Sequence, residues 1–176
     1  MKEEINELIS KKEISDKIDE IAEQINRDYA GKKVTLLCIL KGSVFFTCEL
    51  AKRLTVPVEF EFMTVSSYGD GIVSSGAIRI VEDDELEIRG DDVLVIEDIV
   101  DTGSTLSFLL STLAKRGPAS LKLCALLDKP SRRVKEVDVD YVGFEIPDKF
   151  VVGFGMDYAQ KYRNLDYIGE LIIKED

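Results

Sequence analysis

Histidine is missing from this 176-residue chain, and so is tryptophan. The first absence removes histidine triads, histidine-ligated zinc sites and any imidazole acid or base, which leaves carboxylates, lysine, tyrosine or cysteine to move protons. Basic residues are also in short supply: 23 Lys and Arg face 34 Asp and Glu, a net charge of −11. A surface of that sign repels nucleic acid and anionic lipid at long range, so neither is an expected partner. A small anionic ligand would need local help from a metal, backbone amides or selected lysines and arginines. Long apolar runs are lacking too. The longest kind, at 34–40, is strand-sized and far too short to span a bilayer. The amino terminus, M-K-E-E-I, alternates charge with isoleucine, and no secretory signal is expected from it. Cys38, Cys48 and Cys124 sit in apolar contexts without C-x-x-C spacing. Such an odd, scattered set reads as reduced core thiols of a cytoplasmic protein, not as a disulfide framework.

What is present is an ordinary globular balance, 45% apolar and 32% charged. No repeat, low-complexity segment or linker divides the chain, so 1–176 reads as a single domain around one sizeable core. Ile14, Ile18, Ile21, Ala22, Ile25 and Tyr29 recur at helical spacing, with Ser15 or Asp16 as N-cap and Gly31 as the stop. A buried-type strand at 34–40 leads through Lys41-Gly42-Ser43 into a helix over about 44–54, ended before Pro57. Residues 58–65 alternate apolar and acidic as a half-exposed strand does. The stretch 66–76 is rich in Ser, Gly and Asp without an apolar period, which predicts a long mobile loop of the kind that serves as a lid. A strand at 77–81, an acidic turn at 82–87 and a continuous apolar strand at 93–96 follow. Further on, a helix over about 104–116 stops at Gly117-Pro118, and strands are expected at 121–127, 141–144 and 150–153. Strand and helix alternating in this way imply an α/β fold, a mostly parallel twisted sheet with helices on both faces.

Ligands of such sheets bind beyond the carboxyl ends of the strands. At one such end stand Glu97 and Asp98, and directly after them Asp101-Thr102-Gly103-Ser104-Thr105 opens a helix. Unpaired N–H groups at a helix start, a glycine and several hydroxyls form a cradle for phosphate. Carboxylates beside it suit the vicinal hydroxyls of a ribose. Three other readings fit parts of the pattern. Thr102 or Ser104 could be a plain N-cap, with the acids favouring the positive end of the helix dipole. Asp-Thr-Gly is also the catalytic triplet of aspartic proteases, which are all-β. A Rossmann-like cofactor site would use a strand-end acid, yet no G-x-G-x-x-G follows any strand.

The stretch V-L-V-I-E-D-I-V-D-T-G-S-T-L at 93–106 resembles the phosphoribosyl pyrophosphate signature of type I phosphoribosyltransferases. The remainder of the chain is similar to the hypoxanthine-guanine branch of that family. Lys41 and Gly42 resemble its pyrophosphate-binding loop, which implies a non-proline cis peptide between Leu40 and Lys41. Ser67 and Tyr68 resemble its catalytic lid. Lys129 resembles the lysine that reads the purine 6-oxo group, and Phe150 and Val151 the segment that stacks on the base. Asp157 and Arg163 resemble the pair at the metal and the pyrophosphate. Ser104 stands where some relatives carry a lysine. Through this resemblance, Thr102, Gly103, Ser104 and Thr105 would hold the 5′-phosphate and Glu97 and Asp98 the ribose, directly or through the shell of a Mg²⁺ ion. That ion would be held mainly by substrate oxygens and water, with help from Asp157. Asp101 is the candidate general base. The substrates would be phosphoribosyl pyrophosphate and a 6-oxopurine. A homodimer or homotetramer, and a small hood built from the termini, are implied as well. Xanthine- or uracil-using relatives and a catalytically silent phosphoribosyl pyrophosphate sensor are the alternatives. The sensor would require a basic face or an added winged helix, and the sequence has neither.

Overall fold

The computed structural model describes residues 2–67, 78–81 and 86–174. Strand β1 (Lys2–Ile9) runs into helix α1 (Lys11–Asp28), then β2 (Val34–Leu40), α2 (Val44–Ala51), β3 (Val58–Ser67), β4 (Ile78–Val81) and β5 (Asp92–Val100). Helix α3 (Ser104–Ala114) leads to β6 (Ser120–Asp128), a 3-10 turn (Pro130–Arg132), β7 (Tyr141–Glu145), β8 (Val151–Val152) and β9 (Ile168–Lys174). The main sheet is six-stranded in the order β4-β3-β2-β5-β6-β7. All its pairings are parallel except that of β4, which lies antiparallel on the β3 edge.

The central strands are buried on both faces, which is why they read as unbroken apolar runs. Successive side chains of β2 alternate between two cores. Leu36 meets Ile14, Ile18, Ile21 and Ile25 of α1 and Phe46 and Leu50 of α2 on one face. Leu37 and Ile39 meet Leu106, Leu109 and Leu113 of α3 on the other. The sheet is thus covered on both faces, as the α/β pattern implies. A second, three-stranded sheet of order β1-β9-β8 joins the two ends of the chain, pairing Lys2 with Lys174, and is the hood.

Some boundaries differ from the sequence reading. Helix α1 starts at Lys11, not near Ser15, because Ser10 and Glu13 form a reciprocal capping box: Ser10 N–H donates to Glu13 Oε2 at 2.8 Å and Glu13 N–H to Ser10 Oγ at 3.3 Å. Its first turn carries no apolar residue before Ile14, so periodicity alone starts the helix late. Helix α2 ends at Ala51, short of 54. Strand β3 continues through Ser66 and Ser67, which pair with Arg79 and Ile78, so these two residues are strand and not loop; residues 68–77, with Tyr68, lie outside the described part of the chain. Strand β5 reaches Val100, so Glu97 and Asp98 belong to the strand itself. Among the described residues, no helix is long and apolar enough to cross a membrane.

Candidate active site

From β2 the chain turns outward through α2 to β3; from β5 it turns the other way through α3 to β6. The order therefore reverses between β2 and β5, and a crevice opens beyond their carboxyl ends, where doubly wound sheets take their ligands. Gly42, Glu97, Asp98, Asp101, Thr102, Gly103 and Thr105 line one compartment of this crevice. Asp98, Asp101, Lys129, Phe150, Val151 and Asp157 line a second. The two compartments share Asp98, Ile99 and Asp101. A separate hollow between α1, α2 and Leu165 lies off the crevice and contains none of the expected site residues.

The Leu40–Lys41 peptide bond is cis. After it, the Ser43 hydroxyl donates to Ile39 carbonyl at 2.6 Å, and Thr47 Oγ1 donates to Ser43 carbonyl at 2.9 Å, locking the turn onto α2. A Cβ at Gly42 would lie 1.6 Å from Asp98 Oδ2, so only glycine lets this loop approach the acidic strand end. Lys41 is exposed at the crevice edge. At the start of α3 the N-cap is Gly103, at φ 78, with no side chain to cap the helix. The N-cap is thus neither Thr102 nor Ser104, and Thr102, Gly103 and Thr105 of this helix start line the crevice; the Ser104 N–H makes a long 3.4 Å contact to Thr102 Oγ1.

Glu97 and Asp98 are adjacent carboxylates at the floor of the crevice. Burial pushes Glu97 well above the usual carboxylate range, and the charge of Asp98 pushes it further. Asp98 is raised as well, chiefly by burial, although a bond from the Ile99 amide at 2.7 Å and the charge of Arg163 act the other way. An acidic pair left this under-compensated by protein cations favours an arriving cation. Its donors are hard carboxylate oxygens, and the described residues hold no cluster of three or more potential metal ligands. Magnesium fits such a site, because it commonly keeps waters and substrate oxygens instead of demanding an all-protein cage.

On the opposite wall, Lys129 is only 7% exposed, and no described residue pairs with its ammonium group. Phe150, just before β8, is 55% exposed and receives the edge of Tyr158 at 5.8 Å between centroids. Asp157 Oδ1 meets Arg163 at 2.7 Å, and its Oδ2 accepts from the Gln160 amide at 2.8 Å. Arg163 also donates to Gly155 carbonyl at 2.7 Å. Ser67 is the last residue of β3.

Two residues of the neighbourhood escaped the sequence reading. Arg132 Nε donates to Asp101 Oδ1 at 3.2 Å, and Arg133 NH1 to Asp101 carbonyl at 2.7 Å. Arg133 also pairs with the buried Asp128. These bonds tie the loop that precedes α3 to the turn that presents Lys129. The one local signal was an Arg-Arg pair shortly after Lys129, which looks like any solvated charge run.

A doubly wound sheet whose switch point combines an acidic strand end, a glycine-capped helix start and a cis-peptide loop defines a phosphoribosyltransferase, and the profile of the phosphoribosyl transferase domain family matches residues 4–159. The chain is 47% identical over 177 residues to a hypoxanthine phosphoribosyltransferase of Haemophilus influenzae, covering 99% of both chains. It is also 47% identical to a hypoxanthine-guanine phosphoribosyltransferase of Streptococcus thermophilus, covering 96% of this chain and 93% of the relative. A crystal structure of a hypoxanthine-guanine phosphoribosyltransferase from Bacillus anthracis superposes with a TM-score of 0.90 at 39% identity, covering 98% of this chain and all of that one. The chain belongs to the hypoxanthine-guanine phosphoribosyltransferase family, and it is a glycosyl-transferring enzyme.

Proposed function

We propose that this enzyme serves purine salvage by transferring the 5-phosphoribosyl group of phosphoribosyl pyrophosphate to hypoxanthine or guanine, giving IMP or GMP and pyrophosphate. The observation that carries the reading is the meeting of two unlike compartments at Asp101: one acidic with a helix start that no side chain caps, the other with an aromatic ring and a buried lysine that has no ion pair among the described residues. In this reading Thr102, Gly103, Ser104 and Thr105 hold the 5′-phosphate, and Glu97 and Asp98 orient the ribose hydroxyls. Lys41, Gly42 and Arg163 receive the pyrophosphate, while Phe150 and Val151 cover the base.

Displacement at the anomeric carbon passes through an oxocarbenium-like state, with positive charge on the sugar and negative charge on the leaving group. Arg163 and the backbone at Lys41 and Gly42 stabilise the departing pyrophosphate. Asp101 accepts the proton that the attacking purine loses, and Arg132 holds its carboxylate in place before the base arrives. Lys129 donates to the 6-oxo group, a bond that an exocyclic amine cannot accept. Glu97, Asp98 and Asp157 are the residues that would hold a Mg²⁺ ion, which would supply charge neutralisation for the pyrophosphate. Ser67 and Tyr68 belong to a lid that excludes water from the activated sugar.

The whole chain acts as one phosphoribosyltransferase domain, in keeping with two cores that share one sheet. We place it in the cytoplasm, as its free thiols Cys38, Cys48 and Cys124 suit, and assign it a homodimeric or homotetrameric state by family likeness. The deciding experiment is pyrophosphate release from phosphoribosyl pyrophosphate and Mg²⁺ with hypoxanthine, guanine, xanthine, adenine and uracil in parallel. Release with hypoxanthine or guanine and not with adenine is expected. Release only with xanthine or uracil would overturn the substrate assignment, and silence with every base would overturn the reaction.

A further inference from the structure

The turn that carries Asp157 and Arg163 is built against its own local preferences. Tyr158 and Lys161 bridge each other through reciprocal backbone bonds, and the two residues between them, Ala159 and Gln160, lie at φ 50 and 66. Tyr162, immediately before Arg163, lies at φ 75. Two-residue turns of this kind normally use Asn-Gly, because a β-carbon crowds the backbone at positive φ. An Ala-Gln turn followed by a tyrosine in the same region persists only where the surroundings over-determine it, and such spots cluster at functional sites. Local bonds, from the Gln160 backbone N–H to Asp157 Oδ2 and from the Arg163 guanidinium to Gln160 Oε1, supply part of the restraint.

The remaining restraint comes from the far end of the chain. Glu3 of β1 receives Lys161 Nζ at 3.0 Å on Oε1 and 3.2 Å on Oε2, and it also accepts a short hydrogen bond from the Tyr162 hydroxyl. Both donors flank the turn's exit, directly before Arg163. Strand β1 is itself fixed by its ladder with β9, so the Glu3 carboxylate projects from a rigid base. The same bonds hold that carboxyl below its usual range, with the Tyr162 bond the largest cause, so the anion is the form that clamps.

We infer that Glu3 is a positioning residue of the pyrophosphate site: by gripping Lys161 and Tyr162 it holds the 158–162 turn in the one geometry that aims Arg163 and Asp157 into the crevice. The hood is therefore a working part of the leaving-group site, although no residue of its first strand lines either compartment of the crevice. This inference rests on the reading that Arg163 faces pyrophosphate.

The test is calorimetric titration of the full chain with inorganic pyrophosphate in the presence of Mg²⁺, alongside steady-state kinetics and melting temperature. Glu3→Ala should weaken pyrophosphate and raise the KM for phosphoribosyl pyrophosphate on the order of 10-fold, the usual scale for losing an outer-shell support, while the KM for hypoxanthine and the melting temperature stay put. Tyr162→Phe should reproduce most of that loss, and the double variant should be little worse than either single one, since both break one clamp. Glu3→Gln, which keeps an acceptor for the tyrosine, should retain part of the affinity. Unchanged pyrophosphate affinity in both Glu3→Ala and Tyr162→Phe would overturn the inference, as would a parallel fall in stability and in affinity for both substrates. Arg163→Lys separates the two levels, because it removes the forked contact while keeping the charge. If it weakens pyrophosphate and Glu3→Ala does not, only the clamp is wrong. If it changes nothing, the assignment of the site fails and the clamp fails with it.

Discussion

At the amino ends of β5 and β6, Asp92, Asp28 and Lys122 have protein partners. Asp92 accepts from Ser120 at 2.5 Å and pairs with Lys32 at 3.2 Å. Asp28, at the end of α1, accepts from Tyr141 at 2.5 Å and from Lys122 at 3.4 Å, and the Lys122 ammonium lies 5.5 Å and 5.2 Å from the ring centroids of Tyr29 and Tyr141. At the carboxyl ends of the same two strands, Glu97 and Asp98 crowd each other, and Lys129 is buried without an ion pair among the described residues. The carboxyl groups register the difference. The Tyr141 hydrogen bond holds Asp28 below its usual range and the Ser120 bond does the same for Asp92, whereas burial drives Glu97 and Asp98 upward. One end of the sheet has its electrostatics completed by folding; the other is left for a ligand to complete. Charges that stay costly after folding mark a place for a ligand, although Asp101, paired with Arg132, and Asp157, paired with Arg163, show that a partnered group can line the same crevice.

The contrast breaks most sharply at Asp101. Asp101→Asn is nearly isosteric and keeps an oxygen for the Arg132 contact, so folding and melting temperature should hold. Turnover should fall by roughly 10²- to 10⁴-fold, the range for losing a general base. Steady-state kinetics with hypoxanthine checks it, and wild-type turnover would remove Asp101 from that role.

Glu97→Gln sharpens the comparison by separating stability from function. A carboxyl whose folded pKa is raised contributes stability that is fully present below its unfolded value and is lost as pH rises through the folded value. Ionising Glu97 in the ligand-free enzyme therefore costs stability that a glutamine does not lose, and the glutamine variant should melt higher than wild type wherever pH favours the anion. That gap should widen as pH rises above the ordinary carboxylate range, while Mg²⁺-dependent binding of phosphoribosyl pyrophosphate weakens. Calorimetric melting across pH together with ligand titration reads both effects. A variant that melts lower at every pH would mean that Glu97 is a structural group after all.

The same distinction explains what the sequence made legible. The carboxyl end of β5 and the start of α3 place their chemistry in fourteen consecutive residues at 93–106, so local pattern suffices there. Central strands such as 34–40 are legible because burial on both faces writes an unbroken apolar run. The hood was visible only through family likeness: β1 carries Glu3, Glu4 and Glu7 among its isoleucines, and its pairing partner begins at Ile168. The Arg132 contact to Asp101 and the Glu3 contact to Tyr162 span 31 and 159 positions. No window of sequence contains both partners of such a bond, and each residue alone looks like surface charge.

The smallest effect belongs to the completed end. Tyr141→Phe removes one hydroxyl from a ring that is only 3% exposed and leaves Asp28 with Lys122 alone. The loss should be about 1 kcal/mol, the net worth of a typical hydrogen bond, which for a domain of this size lowers the melting temperature by about 2–4 °C. The sign with pH is opposite to that at Glu97. A depressed carboxyl contributes stability above its unfolded pKa and loses it as pH falls through the folded one, so the wild-type advantage should be full at neutral pH and fade on acidification. Affinity for pyrophosphate and turnover should match wild type throughout, because the bond lies at the end of the sheet remote from the crevice. A kinetic defect in Tyr141→Phe at full folding would show that the two ends are mechanically coupled through β6 and β7, and the division between a finished and an unfinished end would have to be redrawn.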